Sequence, residues 1–325
     1  MRFLTIVLLL AVLLTGYVCY QVYLPYGVQT ETFVEIPPGT HTPEMAKDLQ
    51  DPGVIRSPWG FEVLRLIKGG KLKAGEYRFD HPLNLMEVYA RLAKGDVFTI
   101  ALSVPPGYNI YDIAQAAEAA KLGTRDEFLA AAMQNTELVA EWNPHADSVE
   151  GFLFPDTYHF SRHATAEQMI AAMVRRFRQE AATLGLSTQV RETVTMASLV
   201  EKETAVPEER PLVAGVFFNR LAKGMPLQTD PSVIYAAVRE GGYRGTIYAS
   251  DLKNESAYNT YQHAGLPPGP ICNPGMDALQ AAMHPAQTNY LYFVSDAAGH
   301  SKFSEDMTTQ TQNVEAYRRA LASQK

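Results

Sequence analysis

The sequence predicts an α+β protein behind a single membrane-spanning helix, with a small α+β module followed by a larger α+β domain. Three observations predict it. Phe3 to Tyr20 is an uncharged apolar run, a strand, Pro-Pro-Gly turn and helix pattern occurs twice, and from Glu150 amphipathic helices alternate with short aromatic strands. With 325 residues, 46% apolar and 19% charged, the chain can bury a core in one large or two medium domains. Its net charge of -7, from 28 basic and 35 acidic residues, offers no field for a phosphate backbone, so no nucleic-acid partner is expected. The two cysteines, Cys19 in the apolar run and Cys272 in a Pro-rich stretch, do not suggest a mutual disulfide.

The first element, Phe3 to Tyr20, makes about 27 Å of helix, near the thickness of a hydrocarbon core. A cleaved signal peptide gives a similar pattern, but the run lacks an A-x-A-like end and favours an uncleaved anchor. Arg2 flanks one side, while no Lys or Arg follows until Lys47, which predicts a cytoplasmic N-terminus and a chain whose bulk lies outside the cytoplasm. The expected parts are therefore an anchor over 1–24, a small module over 25–149 and a larger domain over 150–325.

Within the small module, Thr32 to Ile36 alternates like a strand. Ile36-Pro37-Pro38-Gly39, with Met45-Ala46 and Phe61 after it, matches Val104-Pro105-Pro106-Gly107, with Ile113-Ala114 and Phe128 after it. Between the copies, Leu72 to Phe79 reads as a strand and Leu85 to Leu92 as a helix. Pro-Pro-Gly serves equally as turn punctuation or as part of a glycan-binding surface. From Glu150 the segment Gly151 to Tyr158 is aromatic and turn-rich. Helices follow over 166–184, 189–204, 208–222 and 232–238, and Tyr290 to Val294 reads as a buried strand.

The chemistry concentrates in Met196-Ala-Ser-Leu-Val-Glu201-Lys-Glu203. On a helix the two acids point about 200° apart and cannot share one face. Met196, Leu199 and Val200 form an apolar stripe whose next position is Glu203, so its carboxyl is directed into apolar surroundings. Desolvation there raises the pKa, as a general acid near neutrality requires. The plainer alternative has Glu203 at a fraying helix end, or neutralised by Arg210 or Arg220; Glu201 is either solvated or paired with an arginine. Gln228-Thr229-Asp230 supplies an amide, a hydroxyl and a carboxylate, though Asp230 before Pro231 also suits a helix N-cap. Tyr258-Asn259 and the Gly265–Gly275 loop with Asn273 combine aromatic faces and amides, which suit sugars but also occur where no sugar binds. There is no H-E-x-x-H, G-x-S-x-G, phosphate loop or dinucleotide fingerprint, so no metal and no cofactor are expected.

The runs MASLVEKETAVPEER, VFFNRLAKGMPLQTDPSVIY, YNTY, GLPPGPICNPG and YLYFV, in that order, resemble the endolytic murein transglycosylase, or YceG-like, family. The resemblance covers essentially the whole chain. It implies one membrane helix, a periplasmic LysM-like module and a lytic transglycosylase domain, held at the inner (cytoplasmic) membrane. It further implies cleavage within nascent peptidoglycan glycan strands at the MurNAc–GlcNAc linkage, leaving a 1,6-anhydro-MurNAc end, with peptidoglycan synthases as candidate partners. The family's catalytic glutamate matches Glu203, with Glu201 as fallback, and Gln228, Thr229, Asp230, Tyr258, Asn259 and Asn273 are the candidates for holding substrate. Pro207, Pro211 and Cys272 depart modestly from the pattern. A non-catalytic glycan-binding or scaffold protein of cell-wall synthesis is the alternative, and a hydrolase pairing Glu203 with Asp230 is a third reading.

Overall fold

The computed structural model describes residues 2–296 and 298–323, so Met1 and the last two residues of the expected 150–325 domain lie outside the described residues. The chain is mixed α+β and mostly helical, with three two-stranded sheets among the described residues. It divides into two compact units, Met1–Ile100 and Ala101–Lys325.

The first unit opens with α1 (Arg2–Tyr23), then β1 (Thr32–Ile36), α2 (Thr42–Gln50), α3 (Pro58–Lys68), β2 (Gly75–Phe79) and α4 (Leu85–Lys94). Strands β1 and β2 pair antiparallel, with Val34 opposite Tyr77. The period-2 alternation puts Val34 and Ile36 inside, where they meet Leu49 of α2, Phe61 of α3 and Val88 of α4 in one core. Helix α4 is delimited by local chemistry. Asn84 accepts from the Glu87 N–H while Glu87 accepts from the Asn84 N–H, and Gly95 closes the helix in a left-handed conformation. The strand expected from Leu72 starts only at Gly75, where the backbone has φ +141° and a Cβ would sit 2.4 Å from Val97 Cγ1.

The second unit contains β3 (Ile100–Ser103, entered at its first residue from unit one), α5 (Ile110–Ala119), α6 (Arg125–Gln134), β4 (Thr157–Phe160), α7 (Ala166–Leu184), α8 (Val190–Glu203), α9 (Arg210–Ala222), α10 (Asp230–Arg239), α11 (Met276–Met283), β5 (Tyr292–Ser295), β6 (Ser301–Ser304) and α12 (Met307–Ser323). The repeat has a structural counterpart: each copy runs strand, Pro-Pro-Gly and two helices, with Phe61 and Phe128 buried in the second helix of each. Sequence texture suggests a change of module at 149/150, whereas the compact units divide at Ile100–Ala101. The reason is packing. Strand β3 pairs with β4, α6 packs on α7, and Trp142 stacks on Phe152 and meets Phe177 edge-on, tying 101–149 to the β4–α7 segment.

Helix α8 is the centre of this unit, buried from Val194 through Val200 and packed by α9, α10 and α11. On α9, Gly215 permits close approach, because a Cβ there would lie 2.6 Å from the Ala286 carbonyl oxygen. The Tyr290–Val294 run forms β5 two residues later than expected and half-buried, paired with β6.

Candidate active site

The two acids at the end of α8 go to different places, as their angular separation demands. Glu201 is buried and committed: its Oε1 accepts from Arg210 Nη2 at 2.8 Å and its Oε2 from the Gly275 N–H at 2.9 Å. Gly275 suits this contact because a Cβ would press on Pro106 at 3.2 Å. The fallback acid thus holds the loop before α11 against the second Pro-Pro-Gly turn. Gly107 N–H donates to the Asn273 carbonyl at 2.9 Å, completing the dock.

Glu203, the last residue of α8, keeps partial solvent access. Enough protein surrounds its carboxyl that desolvation pushes the pKa up to about 7. The Thr229 hydroxyl and the Arg220 charge pull it down, while the Asp230 charge adds to the rise. Thr229 is 1% exposed, and its Oγ1 makes no well-formed hydrogen bond although it lies close enough to act on the carboxyl. A buried hydroxyl without a settled partner is uncommon, and here it stands beside the acid. Of the two arginines that sequence offers as neutralisers, Arg210 pairs with Glu201 and Arg220 acts on Glu203.

Arg220 is itself 8% exposed and works mainly on the backbone. It donates from Nε to the Leu291 carbonyl at 2.7 Å and from Nη1 to the Leu227 carbonyl at 2.8 Å, with its guanidinium over the Tyr292 ring. These bonds fix the turn that carries Gln228, which is exposed and has φ +52°, a left-handed conformation uncommon outside glycine. Thr229 is the residue before α10, so the N-cap suggested for Asp230 falls one residue earlier, and the Thr229 side chain makes no cap bond. Asp230 begins the helix, is exposed, and accepts from the Tyr261 hydroxyl at 2.6 Å. Burial, that bond and the nearby carboxylates raise the Tyr261 pKa.

Three hydroxyl residues latch the 228–232 turn to the 258–261 turn. Thr229 N–H donates to Thr260 Oγ1 at 3.0 Å, Ser232 and Thr260 hydroxyls meet at 2.9 Å, Ser232 Oγ donates to the Thr229 carbonyl at 2.8 Å, and Gln228 N–H donates to the Thr260 carbonyl at 3.1 Å. Ser232 and Thr260 are fully buried.

The structure therefore brings together Glu203, Gln228, Thr229 and Asp230, and adds Arg220 and Tyr261. It sets the other candidates apart. Asn259 is 0% exposed; its Nδ2 donates to the Asn254 and Leu252 carbonyls and its Oδ1 accepts from Tyr261 N–H. Asn273 is also 0% exposed, bonded to Tyr108, Leu153 and Glu150. Tyr258 is 8% exposed, packed on Tyr235 and under Arg239, with its pKa pushed up to about 12 by burial. Cys272 is fully buried and burial keeps it a thiol. Tyr261 and Thr260 lie within the YNTY run, whose presence beside the candidates Tyr258 and Asn259 is the sequence signal for them.

The YceG-like family model matches residues 34–316. An endolytic murein transglycosylase of Bacillus subtilis (strain 168) is 32% identical over 310 residues, covering 89% of this chain and 85% of that one. An endolytic murein transglycosylase of Streptococcus pneumoniae (strain D39) is 31% identical over 339 residues, covering 92% of this chain; the alignment spans 62% of the longer relative. The crystal structure of a YceG-like protein from Listeria monocytogenes superposes with TM-score 0.58 at 30% identity, over 88% of this chain and 99% of that one. With the family model spanning most of the sequence and relatives above 30% identity along nearly all of it, the chain belongs to the YceG-like family.

Proposed function

We propose that this protein is an endolytic peptidoglycan lytic transglycosylase in which Glu203 acts first as general acid and then as general base. The observation that carries the reading is the surroundings of Glu203: a carboxyl with pKa about 7, partly open to solvent, beside a buried hydroxyl, an exposed carboxylate and a buried guanidinium. Neutral Glu203 gives its proton to the glycosidic oxygen as the bond to C1 of MurNAc breaks. The MurNAc C6 hydroxyl then attacks C1 and returns its proton to Glu203, so the carboxyl ends as it began and no water is consumed. In this reading Asp230 supplies an anion and Thr229 an oxygen, both beside the Glu203 carboxyl, to the positively charged sugar ring of the transition state.

Relatives named as endolytic murein transglycosylases supply the substrate class. Helix α1, apolar over Phe3–Tyr23, serves as an uncleaved single-pass anchor with the rest of the chain periplasmic. The β1–α4 segment corresponds to the LysM-like module and the second unit to the transglycosylase domain.

Digestion of uncrosslinked glycan strands by the full-length protein, with products resolved by mass, tests the reading. Anhydro-MurNAc ends that vanish in Glu203→Gln and persist in Glu201→Gln support it. Products heavier by one water would instead indicate a hydrolase using Glu203 with Asp230, and no products from folded wild-type protein would indicate a scaffold.

A further inference from the structure

The first unit carries an apolar surface that its own core does not use. On α3, Leu66 and Ile67 are 84% and 75% exposed and Trp59 is 49% exposed, although the same helix buries Phe61 and Leu64. The exposed residues do not stand alone. Trp59, Val63 and Ile67 share an apolar groove of about 330 Å³ with Val18 and Val22, at the C-terminal end of α1.

The level of that groove is set by α1. Counting from Phe3, about 27 Å of helix brings the chain to Tyr20, so Val18 to Tyr23 lie where hydrocarbon gives way to headgroups. The end of α1 is tied to the unit rather than loosely tethered: the Arg56 guanidinium lies over the rings of Tyr20 and Tyr26, bonds the Tyr20 hydroxyl, and donates to the Pro25 carbonyl at 3.0 Å. Charge points the same way. In a chain of net charge -7, the segment 52–75 holds five basic residues and one acid, and Lys68 and Lys71 are exposed just beyond Ile67. Arg65 and the Tyr89 hydroxyl bond the carbonyls of Gly70 and Gly69, which fixes the turn presenting those lysines. An apolar face containing tryptophan and rimmed by lysine is the composition that settles at an anionic lipid surface.

We propose that α3 is a second membrane contact, with Trp59, Leu66 and Ile67 in the outer leaflet of the bilayer that α1 crosses and Lys68 and Lys71 at phospholipid phosphates. This rests on the reading of α1 as an anchor. The continuity of the groove with α1 and the basic rim favour lipid over a protein occupant.

The protein has two tryptophans, and Trp142 is packed against Phe152 and Phe177 in the second unit, so a Trp142→Phe variant isolates Trp59 as a reporter. The full-length variant is reconstituted in phosphatidylglycerol-containing vesicles whose lipids carry bromine near the top of the acyl chains. Trp59 emission should fall by about twofold or more, and Lys68→Glu with Lys71→Glu should remove at least about half of that quenching. Should Trp142→Phe fold poorly, the difference between wild type and Trp59→Phe gives the same signal. Labelling of Ala11→Cys, at the middle of α1, in a Cys19→Ser background with a membrane-impermeant maleimide separates the two readings, since Cys272 is buried. Protection at position 11 with Trp59 unquenched overturns the proposal alone. Labelling there with Trp59 unquenched overturns both, and labelling with Trp59 quenched overturns the anchor while supporting α3 as a membrane contact. Unquenched Trp59 together with two copies per nanodisc would assign the face to a second chain and overturn the lipid assignment.

Discussion

Glu150 and Glu203 are both carboxyls whose pKa burial raises, to about 8 and about 7, yet their surroundings differ in kind. Glu150 is saturated. One oxygen accepts from Ile110 N–H at 3.0 Å and the Tyr235 hydroxyl at 3.3 Å, the other from Asn273 Nδ2 at 3.1 Å and Gly151 N–H at 3.3 Å. It joins the start of α5, the Gly151 turn, α10 and the Asn273 loop, and it is 4% exposed. Glu203 has no such set of donors, keeps partial solvent access, and meets one hydroxyl, that of Thr229, which has no other partner. A raised pKa marks both; only incomplete satisfaction with an open side marks a carboxyl that can exchange a proton with a ligand.

The sharpest break between the two is substitution by glutamine. Glu203→Gln should lower the yield of anhydro-MurNAc ends by about 10²–10⁴-fold with the fold intact, as loss of a general acid does. Glu150→Gln should instead leave the activity per folded molecule nearly unchanged and cost about 2–4 kcal/mol of stability, because an amide NH₂ must then face donors. Denaturant unfolding beside product mass analysis reads both effects. Activity lost in Glu150→Gln at full stability would dissolve the distinction.

Stability against pH gives the next contrast. The folded pKa of Glu203 lies above its ordinary value of 4.5, so its contribution is fully present below that value and is lost as pH rises through about 7. Glu203→Gln removes that loss. From pH 5 to pH 8 the variant should therefore gain on wild type by about 1–2 kcal/mol, less than full burial would give because the side chain is partly solvated. Thermal unfolding at the two pH values checks it. On the proposed mechanism the same ionisation should make kcat/KM fall about tenfold per pH unit above about pH 7.

Smaller effects come from the neighbours and have opposite signs. Thr229→Val removes the hydroxyl that lowers the Glu203 pKa, so the alkaline limb of the pH–rate profile should move up while kcat falls about tenfold. Asp230→Asn removes an anion that raises it, and the limb should move down, by less than the Thr229→Val change. Shifts in the same direction would show that these residues act through the fold rather than on the carboxyl.

How much of this the sequence carried depends on whether a residue's surroundings are local. The stripe of Met196, Leu199 and Val200 located Glu203 because helix geometry alone decides which acid faces apolar neighbours. The Pro-Pro-Gly repeat was legible for the same reason, and α7 occupies the expected 166–184. Asn259 and Asn273 were not distinguishable from sugar-binding amides, since an amide that locks a loop and one that waits for a ligand look alike until the backbone carbonyls are placed. The division at Ile100–Ala101 was hidden because it depends on β3 finding β4 across more than fifty intervening residues. Arg220 was legible as a cation near Glu203, but not as the residue holding the strained Gln228 turn.

The Ser232–Thr260 hydroxyl pair, with the Thr229 backbone bonded to both, makes two separate stretches of chain a single inheritable block. Exchange of the 226–232 turn with a relative's, leaving 258–261 in place, would strand buried hydroxyls unless position 260 changed with it. Grafting and directed evolution of this site therefore have to treat the two turns as one cassette, with diversity introduced at the outward-facing Gln228 and Asp230 and not at the hydroxyls behind them.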